Sequence, residues 1–132
     1  MILVVDDHVD TAEVLVGLLG KAGHDATAVY SGEQLLEHLE RSETAPRLIV
    51  LDMAMPGMGG MECLRRIASH PRWRDIPVVV YSADYTFSAM RQAVSLGAKE
   101  YLVKGTVAWD AIIEAVTRHA GADDAPPSTS AP

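Results

Sequence analysis

Five short apolar runs divide the chain and predict five β-strands. Three runs are almost wholly aliphatic, which is typical of strands buried on both faces of a parallel sheet: Ile2–Val5, Leu48–Leu51 and 78–81. The run at 25–30 is more polar, so we expect it at an edge of the sheet, and Glu100–Val103 forms a short fifth strand.

Between these runs, apolar residues recur at the three- and four-residue spacing of amphipathic helices. Gly23 and Gly97 stand where glycine commonly closes a helix, and Ser31 with Gln34 has the spacing of a capping box. The residues that carry the five helical patterns are Ala12, Leu15, Leu19 and Ala22; Leu35, Leu36 and Leu39; Met61, Leu64, Ile67 and Ala68; Phe87, Met90 and Val94; and Trp109, Ile112, Ile113 and Val116.

This regular alternation of strand and helix predicts an α/β fold with a five-stranded parallel sheet between two layers of helices. We expect residues 1–120 to form one domain. Residues 121–132 are rich in Gly, Ala, Asp, Pro, Ser and Thr without periodicity, so they are expected to be a flexible tail or linker.

Composition narrows the class of protein. Of 132 residues, 48% are hydrophobic and 22% charged, which is typical of a globular domain, and the net charge of −7 argues against nucleic-acid binding. A single cysteine, Cys63, excludes an internal disulfide and fits a reducing cytosol. No apolar run reaches the ~18 residues of a membrane span, and no basic leader is present. We therefore expect a cytoplasmic location without membrane contact.

Polar side chains follow four of the five predicted strands. The first strand ends in Asp6-Asp7, the third in Asp52, the fourth in Ser82 and the fifth in Lys104. Asp52 alone also suits a helix cap. Because ligands of parallel sheets bind beyond the carboxyl ends of the strands, we instead expect these groups to converge on one edge.

The converging groups have a common chemistry. Carboxylates crowded together favour a bound cation, and hard oxygen ligands in a wet loop site suit Mg²⁺. A carboxylate beside such a cation acts as a nucleophile toward phosphorus, and the Lys104 ammonium and Ser82 hydroxyl suit the phosphoryl oxygens. His8 is interpreted as a surface-loop histidine.

Taken together in this order, the motifs resemble the receiver domain of two-component response regulators over residues 2–120. The resemblance implies a flavodoxin-like fold with strand order 2-1-3-4-5. The matching motifs are Val4-Val5-Asp6-Asp7, Leu51-Asp52 with Met55-Pro56-Gly57, Ser82-Ala83, Gly97-Ala98 and Tyr101-Leu102-Val103-Lys104.

The resemblance assigns a role to each acidic residue. Asp52 is the expected acceptor of a phosphoryl group from the phosphohistidine of a sensor histidine kinase or phosphotransfer protein. Asp7 and Asp52 are the expected side-chain ligands of Mg²⁺, Asp6 holds a metal-bound water, and the Ala54 carbonyl is the backbone ligand.

The resemblance also implies a switch. Ser82 turns toward the phosphoryl group, Lys104 pairs with it, and Tyr101 follows the serine, which reshapes the face formed by the fourth helix, fifth strand and fifth helix. Tyr101 also suits a plain core aromatic. The output domain or partner is not indicated, and homodimerisation through the fourth and fifth helices is compatible with the pattern but not required by it.

Two positions depart from the family pattern. Gly105 replaces the proline that usually follows the lysine, so either a strained cis bond or a different loop path is expected there. Ala54 replaces the polar side chain that often positions the hydrolytic water. We expect other groups, such as Asp84, to take that role and the phosphoryl lifetime to change.

Two other functions compete with the phosphorylated switch, which is a signalling module and not an enzyme. The first is a docking or dimerisation module that works without phosphorylation, and Gly105 keeps this alternative open. The second is a Mg²⁺-dependent aspartyl phosphohydrolase. It is the weaker alternative because such enzymes commonly carry a second acid where this chain has Ala54.

Overall fold

The structure is a computed structural model, and it describes residues 1–121. Of the tail predicted at 121–132, residues 122–132 lie outside the described residues. The alternation of strands and helices is confirmed, with elements at β1 (Ile2–Val5), α1 (Val9–Lys21), β2 (Ala26–Val29), α2 (Gly32–Arg41), β3 (Leu48–Leu51), α3 (Gly60–Ser69), β4 (Val78–Ser82), α4 (Phe87–Ser95), β5 (Glu100–Val103) and α5 (Trp109–Ala120).

The five strands form one parallel sheet in the order β2-β1-β3-β4-β5, which confirms the flavodoxin-like topology and the edge position of β2. In the register of the sheet, Val5 at the end of β1 lies between Val29 of β2 and Leu51 of β3. The strand order reverses at β1, so the ends of β1 and β3 adjoin at the point where such sheets bind ligands.

The sheet buries an apolar core on each face. Leu3 and Val5 face the core that includes α2 and α3, whereas Ile2 and Val4 face the core that includes α1 and α5. This alternation follows from the two-residue period of a strand. It explains why β1 and β3 have to be apolar at every position.

Helix α4 departs from this scheme. The residues that indicated the helix lie on its outer surface, since Phe87 is 72% exposed and Val94 is 56% exposed. The side that packs on the sheet carries the small residues Ala89 and Ala93. The helix is therefore confirmed, but its large apolar side chains face away from the core.

The cap predicted at the start of α2 is formed. The Ser31 hydroxyl accepts a hydrogen bond from the Gln34 N–H at 3.0 Å, and the Gln34 side chain accepts one from the Tyr30 N–H at 2.8 Å. Helix α1 ends at Lys21, so Ala22 lies just beyond it and is exposed.

Within residues 1–121, no helix combines the length and apolar character that crossing a membrane requires.

Candidate functional site

The carboxyl ends of four strands bring the predicted polar groups to one edge of the sheet. Asp6 and Asp7 follow β1, Asp52 follows β3, and Lys104 follows β5. Ser82 is the last residue of β4, which is one residue longer than the apolar run alone indicates. The Asp52 N–H donates to the Val5 carbonyl at 3.0 Å, so the ladder between β1 and β3 fixes the start of the acidic loop.

The Lys104 ammonium lies among the acids. Its Nζ is 2.6 Å from Asp6 Oδ2 and 3.6 Å from Asp52 Oδ2. The Asp6 and Asp52 side chains are only 4% and 2% exposed, whereas that of Lys104 is 16% exposed. A buried carboxylate needs such a partner because removal from water is costly for an unpaired charge.

Asp52 combines burial with an unused oxygen. Its Oδ1 accepts the Ala54 N–H at 3.2 Å, whereas Oδ2 is buried and accepts no hydrogen bond. Burial raises the pKa of Asp52 above its ordinary value, Lys104 acts in the opposite direction, and the Asp6 carboxylate adds to the rise. The helix-cap interpretation of Asp52 is wrong, because the residue at the N-cap of α3 is Gly59.

The loop after Asp52 packs tightly against α3. A Cβ atom added at Gly60 would lie 2.3 Å from the Asp52 carbonyl oxygen, closer than real Cβ contacts allow. Met53 and Met55 are buried in the same loop. Gly57 has a φ of +73°, a conformation that side chains disfavour. These contacts hold the backbone at Asp52 in place.

Three carboxylates and one histidine form a candidate cation site. Ligand atoms of Asp6, Asp7, His8 and Asp52 all lie within 4.8 Å of one another. Asp7 Oδ1, like Asp52 Oδ2, is buried and accepts no hydrogen bond. Two orphaned carboxylate oxygens in an acidic cluster fit a divalent cation. The Ala54 carbonyl, expected as a further ligand, stays a prediction.

His8 belongs to this cluster although its side chain is 66% exposed. Its Nδ1 is 3.2 Å from Asp6 Oδ1 and 3.3 Å from Asp7 Oδ1. The backbone N–H of His8 donates a hydrogen bond to Asp6 Oδ1 at 2.9 Å. The surface position is confirmed, but the contact with both acids was not predicted from the sequence.

The predicted switch residues are linked through the connection after β4. Ser82 Oγ accepts the Asp84 N–H at 3.2 Å, and the Tyr101 hydroxyl donates to the Asp84 carbonyl at 2.7 Å. The nearby Ser82 hydroxyl acts with Lys104 against the rise in the pKa of Asp52 that burial causes. Burial raises the pKa of Tyr101, and the Asp84 charge adds to the rise. The tyrosine hydroxyl is thus tied to the backbone between β4 and α4.

The Asp84 side chain organises the start of α4. Its Oδ1 accepts both the N–H and the hydroxyl of Thr86, at 3.0 and 2.9 Å, and the Thr86 hydroxyl accepts the Ala89 N–H. One Asp84 oxygen is therefore engaged in capping. Any water that Asp84 positions near Asp52 has to be held by its other oxygen.

The loop after Lys104 follows its own path. No cis peptide bond occurs among residues 1–121, and Gly105 has a φ of +84°. The Thr106 N–H and hydroxyl both donate to the Val103 carbonyl, at 3.2 and 2.8 Å, which closes a tight turn. Of the two expectations for Gly105, the structure has the different loop path.

Two aromatic residues near the site were missed from the sequence. The Lys104 Nζ lies 5.6 Å from the centroid of the Tyr81 ring, and that ring lies 5.9 Å from the ring of Trp109. The sequence pattern predicts Tyr81 only as part of a buried strand. The sequence feature that could have indicated a role for Tyr81 in the site is its position as an aromatic residue at the end of a run of valines.

Comparisons with known proteins agree with this geometry. The sequence model of the response regulator receiver domain matches residues 2–117. The sensory/regulatory protein RpfC of Xanthomonas campestris is 40% identical over 108 residues, which are 80% of this chain and 15% of RpfC. The two-component response regulator ORR5 of rice (Oryza sativa) is 34% identical over 103 residues, 78% of this chain and 76% of ORR5. This chain thus spans a small part of RpfC and about three quarters of ORR5.

Solved structures show the same fold. The receiver domain of NtrX from Brucella abortus superimposes with a TM-score of 0.79 at 29% identity, and the match covers 91% of this chain and 98% of that domain. The likeness therefore extends over nearly all of the described sheet and its helices.

Proposed function

This chain belongs to the response regulator receiver domain family, and on that premise we propose that Asp52 accepts a phosphoryl group from the phosphohistidine of a sensor histidine kinase or phosphotransfer protein. The observation that carries the proposal is the state of Asp52 Oδ2, which is buried, without a hydrogen bond, and 3.6 Å from the Lys104 ammonium. An oxygen in that position is available to attack phosphorus, and the Lys104 ammonium lies beside it to stabilise the negative charge of the phosphoryl group.

The transfer forms one bond and breaks another. The Asp52 carboxylate oxygen attacks phosphorus, the P–N bond to the donor histidine breaks, and the imidazole nitrogen keeps the electron pair. The product is an acyl phosphate. Asp7, Asp52, the Ala54 carbonyl and a water on Asp6 would hold Mg²⁺, which would neutralise negative charge on the phosphoryl oxygens.

Lys104 and Ser82 complete the charge balance in this proposal. Lys104 is paired chiefly with Asp6, at 2.6 Å, and lies near enough to Asp52 to transfer its ion pair to a phosphoryl oxygen. The Ser82 hydroxyl is fully buried at the end of β4 and donates to another phosphoryl oxygen. Both groups stabilise charge that is absent before transfer.

We further propose that the acyl phosphate changes the face formed by α4, β5 and α5. When Ser82 turns to the phosphoryl group, its hydrogen bond with the Asp84 N–H weakens. The carbonyl of the same residue accepts the hydrogen bond from the Tyr101 hydroxyl, so the change reaches the tyrosine. The exposed Phe87 and Val94 lie on the helix that follows this connection. An output partner or a second copy of the chain that docks there would sense the change.

The docking alternative receives support from the same exposed residues. Apolar side chains as exposed as Phe87 and Val94 provide a contact surface with or without a phosphoryl group. The phosphohydrolase alternative lacks such support, since Ala54 has no acid to offer. We propose a signalling module in the cytoplasm that does not turn over a substrate.

Intact mass spectrometry tests the proposal. The protein is incubated with Mg²⁺ and acetyl phosphate, and the expected result is a gain of one phosphate in the wild type that is lost in Asp52→Ala. Asp75→Ala, which removes an exposed acid between α3 and β4, is the matched control and gains phosphate normally. A wild type that gains no phosphate favours the docking alternative.

A further inference from the structure

We propose that Tyr81 is a positioning residue for Lys104. The face of its buried aromatic ring holds the lysine ammonium beside the carboxylate of Asp52. This inference rests on the proposed phosphoryl transfer to Asp52. It adds a residue that comes from within a strand to a site otherwise built from strand ends.

The first support is the distance between ammonium and ring. Lys104 Nζ lies 5.6 Å from the Tyr81 ring centroid. A cation within about 6 Å of an aromatic face is attracted by the negative charge of the π-electrons, and the attraction grows as water is excluded. Tyr81 is only 7% exposed and the Lys104 side chain 16% exposed, so little water separates them.

The second support is that the ring is itself held in place. Tyr81 is part of the core between the sheet and α5, where it packs among apolar residues that include Ile112. Its ring also meets that of Trp109 at 5.9 Å with an interplanar angle of 56°. The two rings are tilted toward each other, and their separation lies in the range of about 4.5–7 Å at which aromatic pairs attract. The surface beneath the ammonium is therefore rigid.

The third support is that the turn beyond Lys104 fixes the lysine backbone but offers no contact to its side chain. Gly105 is exposed with a φ of +84°, and a Cβ added there would meet nothing within 4 Å. Restraint on the side chain therefore has to come from its own contacts. The ion pair with Asp6 is one such contact, but Asp6 also belongs to the candidate cation site. A bound cation competes with Lys104 for Asp6, whereas the Tyr81 ring remains available throughout.

The competing explanation is that Tyr81 only fills the core. Two substitutions separate the explanations, because Tyr81→Phe keeps the ring and Tyr81→Leu keeps an apolar side chain without a ring. Phosphorylation by acetyl phosphate with Mg²⁺ is followed by intact mass, and folding is checked by urea denaturation. We expect Tyr81→Phe to react within about twofold of the wild type and Tyr81→Leu about three- to tenfold more slowly. Tyr85→Leu, at a tyrosine that is 76% exposed, is the matched control and is expected to react normally.

A double-mutant cycle tests whether the effect passes through Lys104. In a Lys104→Met background the ring has no ammonium to hold, so Tyr81→Leu should change the rate by less than about twofold. An equal slowing in both backgrounds overturns the proposal. So does a Tyr81→Phe protein as slow as Tyr81→Leu, or a folded Tyr81→Leu protein that reacts as fast as the wild type.

A spectroscopic measurement tests the contact without phosphorylation. In NMR spectra of the unphosphorylated protein, the ring should shift the Lys104 ε-methylene protons upfield in the wild type and Tyr81→Phe but not in Tyr81→Leu. Absence of this shift in the wild type overturns the proposal. Its presence in a wild type that takes no phosphate retains the contact and rejects the phosphoryl transfer instead.

Discussion

Two helices on the same face of the sheet are packed in opposite ways. Helix α3 buries Cys63, Leu64 and Ile67, which are at most 2% exposed, and the glycine at its first position has no room for a Cβ atom. Helix α4 covers the sheet with Ala89 and Ala93 and exposes its larger apolar residues. The loop 52–59, called the acceptor loop after the role proposed for Asp52, lies beside α3, and the predicted switch residues lie beside α4.

The difference follows from the area that each helix removes from water. Burying a leucine or isoleucine side chain stabilises by about 1.5–3 kcal/mol, whereas an alanine has one methyl group to bury. Moving α3 would expose several large side chains, and moving α4 would expose few. We infer that the chain fixes the proposed phosphoacceptor, Asp52, and leaves movable the helix proposed to respond to it.

Core truncation should show the largest difference between the two helices. Leu64→Ala on α3 should lower the free energy of unfolding by about 2–5 kcal/mol, since it leaves a cavity in a packed core. Phe87→Ala on α4 removes a mostly exposed ring and should change it by less than about 0.5 kcal/mol. Urea denaturation of both variants measures this, and equal losses would contradict the inferred asymmetry.

Thiol labelling should give the next largest difference. Burial raises the pKa of the Cys63 thiol to about 11, with a further rise from the charge of Glu33. The thiolate fraction at pH 8 is then roughly a hundredfold below that of an ordinary cysteine. We expect labelling in the folded protein at least about 100-fold slower than in urea, while a thiol introduced by Ser95→Cys on α4 reacts rapidly. Fast native labelling of Cys63 would show that the α3 side opens readily.

Two glycine-to-alanine substitutions, compared with each other, measure how tightly α3 packs against the acceptor loop. Gly60→Ala places a methyl group against the Asp52 carbonyl and should cost about 1–3 kcal/mol. Gly20→Ala is the matched control in α1, where a Cβ meets nothing within 4 Å, and it should stabilise by roughly 0.5–1 kcal/mol. Thermal denaturation compares them. A stable Gly60→Ala protein would indicate a looser acceptor loop.

The smallest effect is expected at the β5 edge, where polar contacts replace apolar burial. Burial disfavours the charge on Glu100, but hydrogen bonds from His119 and Arg118 outweigh it and lower the pKa below its ordinary 4.5. A lowered native pKa stabilises the fold above pH 4.5, and the contribution is lost as pH falls through the native pKa.

Glu100→Gln measures this contribution. The stability gap between wild type and variant should be under about 1 kcal/mol, as is usual for exposed ion pairs. The gap should close as the pH falls below about 4.5, through the pKa of Glu100 in the folded protein. Urea denaturation over this pH range measures it, and a gap that widens on acidification would reverse the assigned sign.

Much of the fold followed from patterns that physics constrains strongly. A β-branched or aliphatic run bounded by polar residues has few alternatives in a sheet, so the bounds of β1, β3 and β5 were predicted correctly. The meeting of Asp6, Asp52 and Lys104 followed as well, because parallel strands end at the same edge.

What could not be predicted depends on contacts between elements. Helical spacing shows that Phe87 and Val94 share a face, but not that the opposite face, with Ala89 and Ala93, is the one that packs. The contact between Tyr81 and Lys104 depends on the register of β4 and β5 and on the placement of α5. Neither is encoded in local periodicity.

The position and length of α5 set the distance between the acidic site and the C-terminal end of the described domain. Arg47, just before β3, donates a hydrogen bond to the Ala120 carbonyl, so α5 ends at the pole opposite Asp52. Its 12 residues span about 18 Å. The acidic site lies at one pole of the domain, and Gly121 lies at the other. A signal from the phosphoryl group proposed at Asp52 would therefore have to cross the length of α5 to reach Gly121.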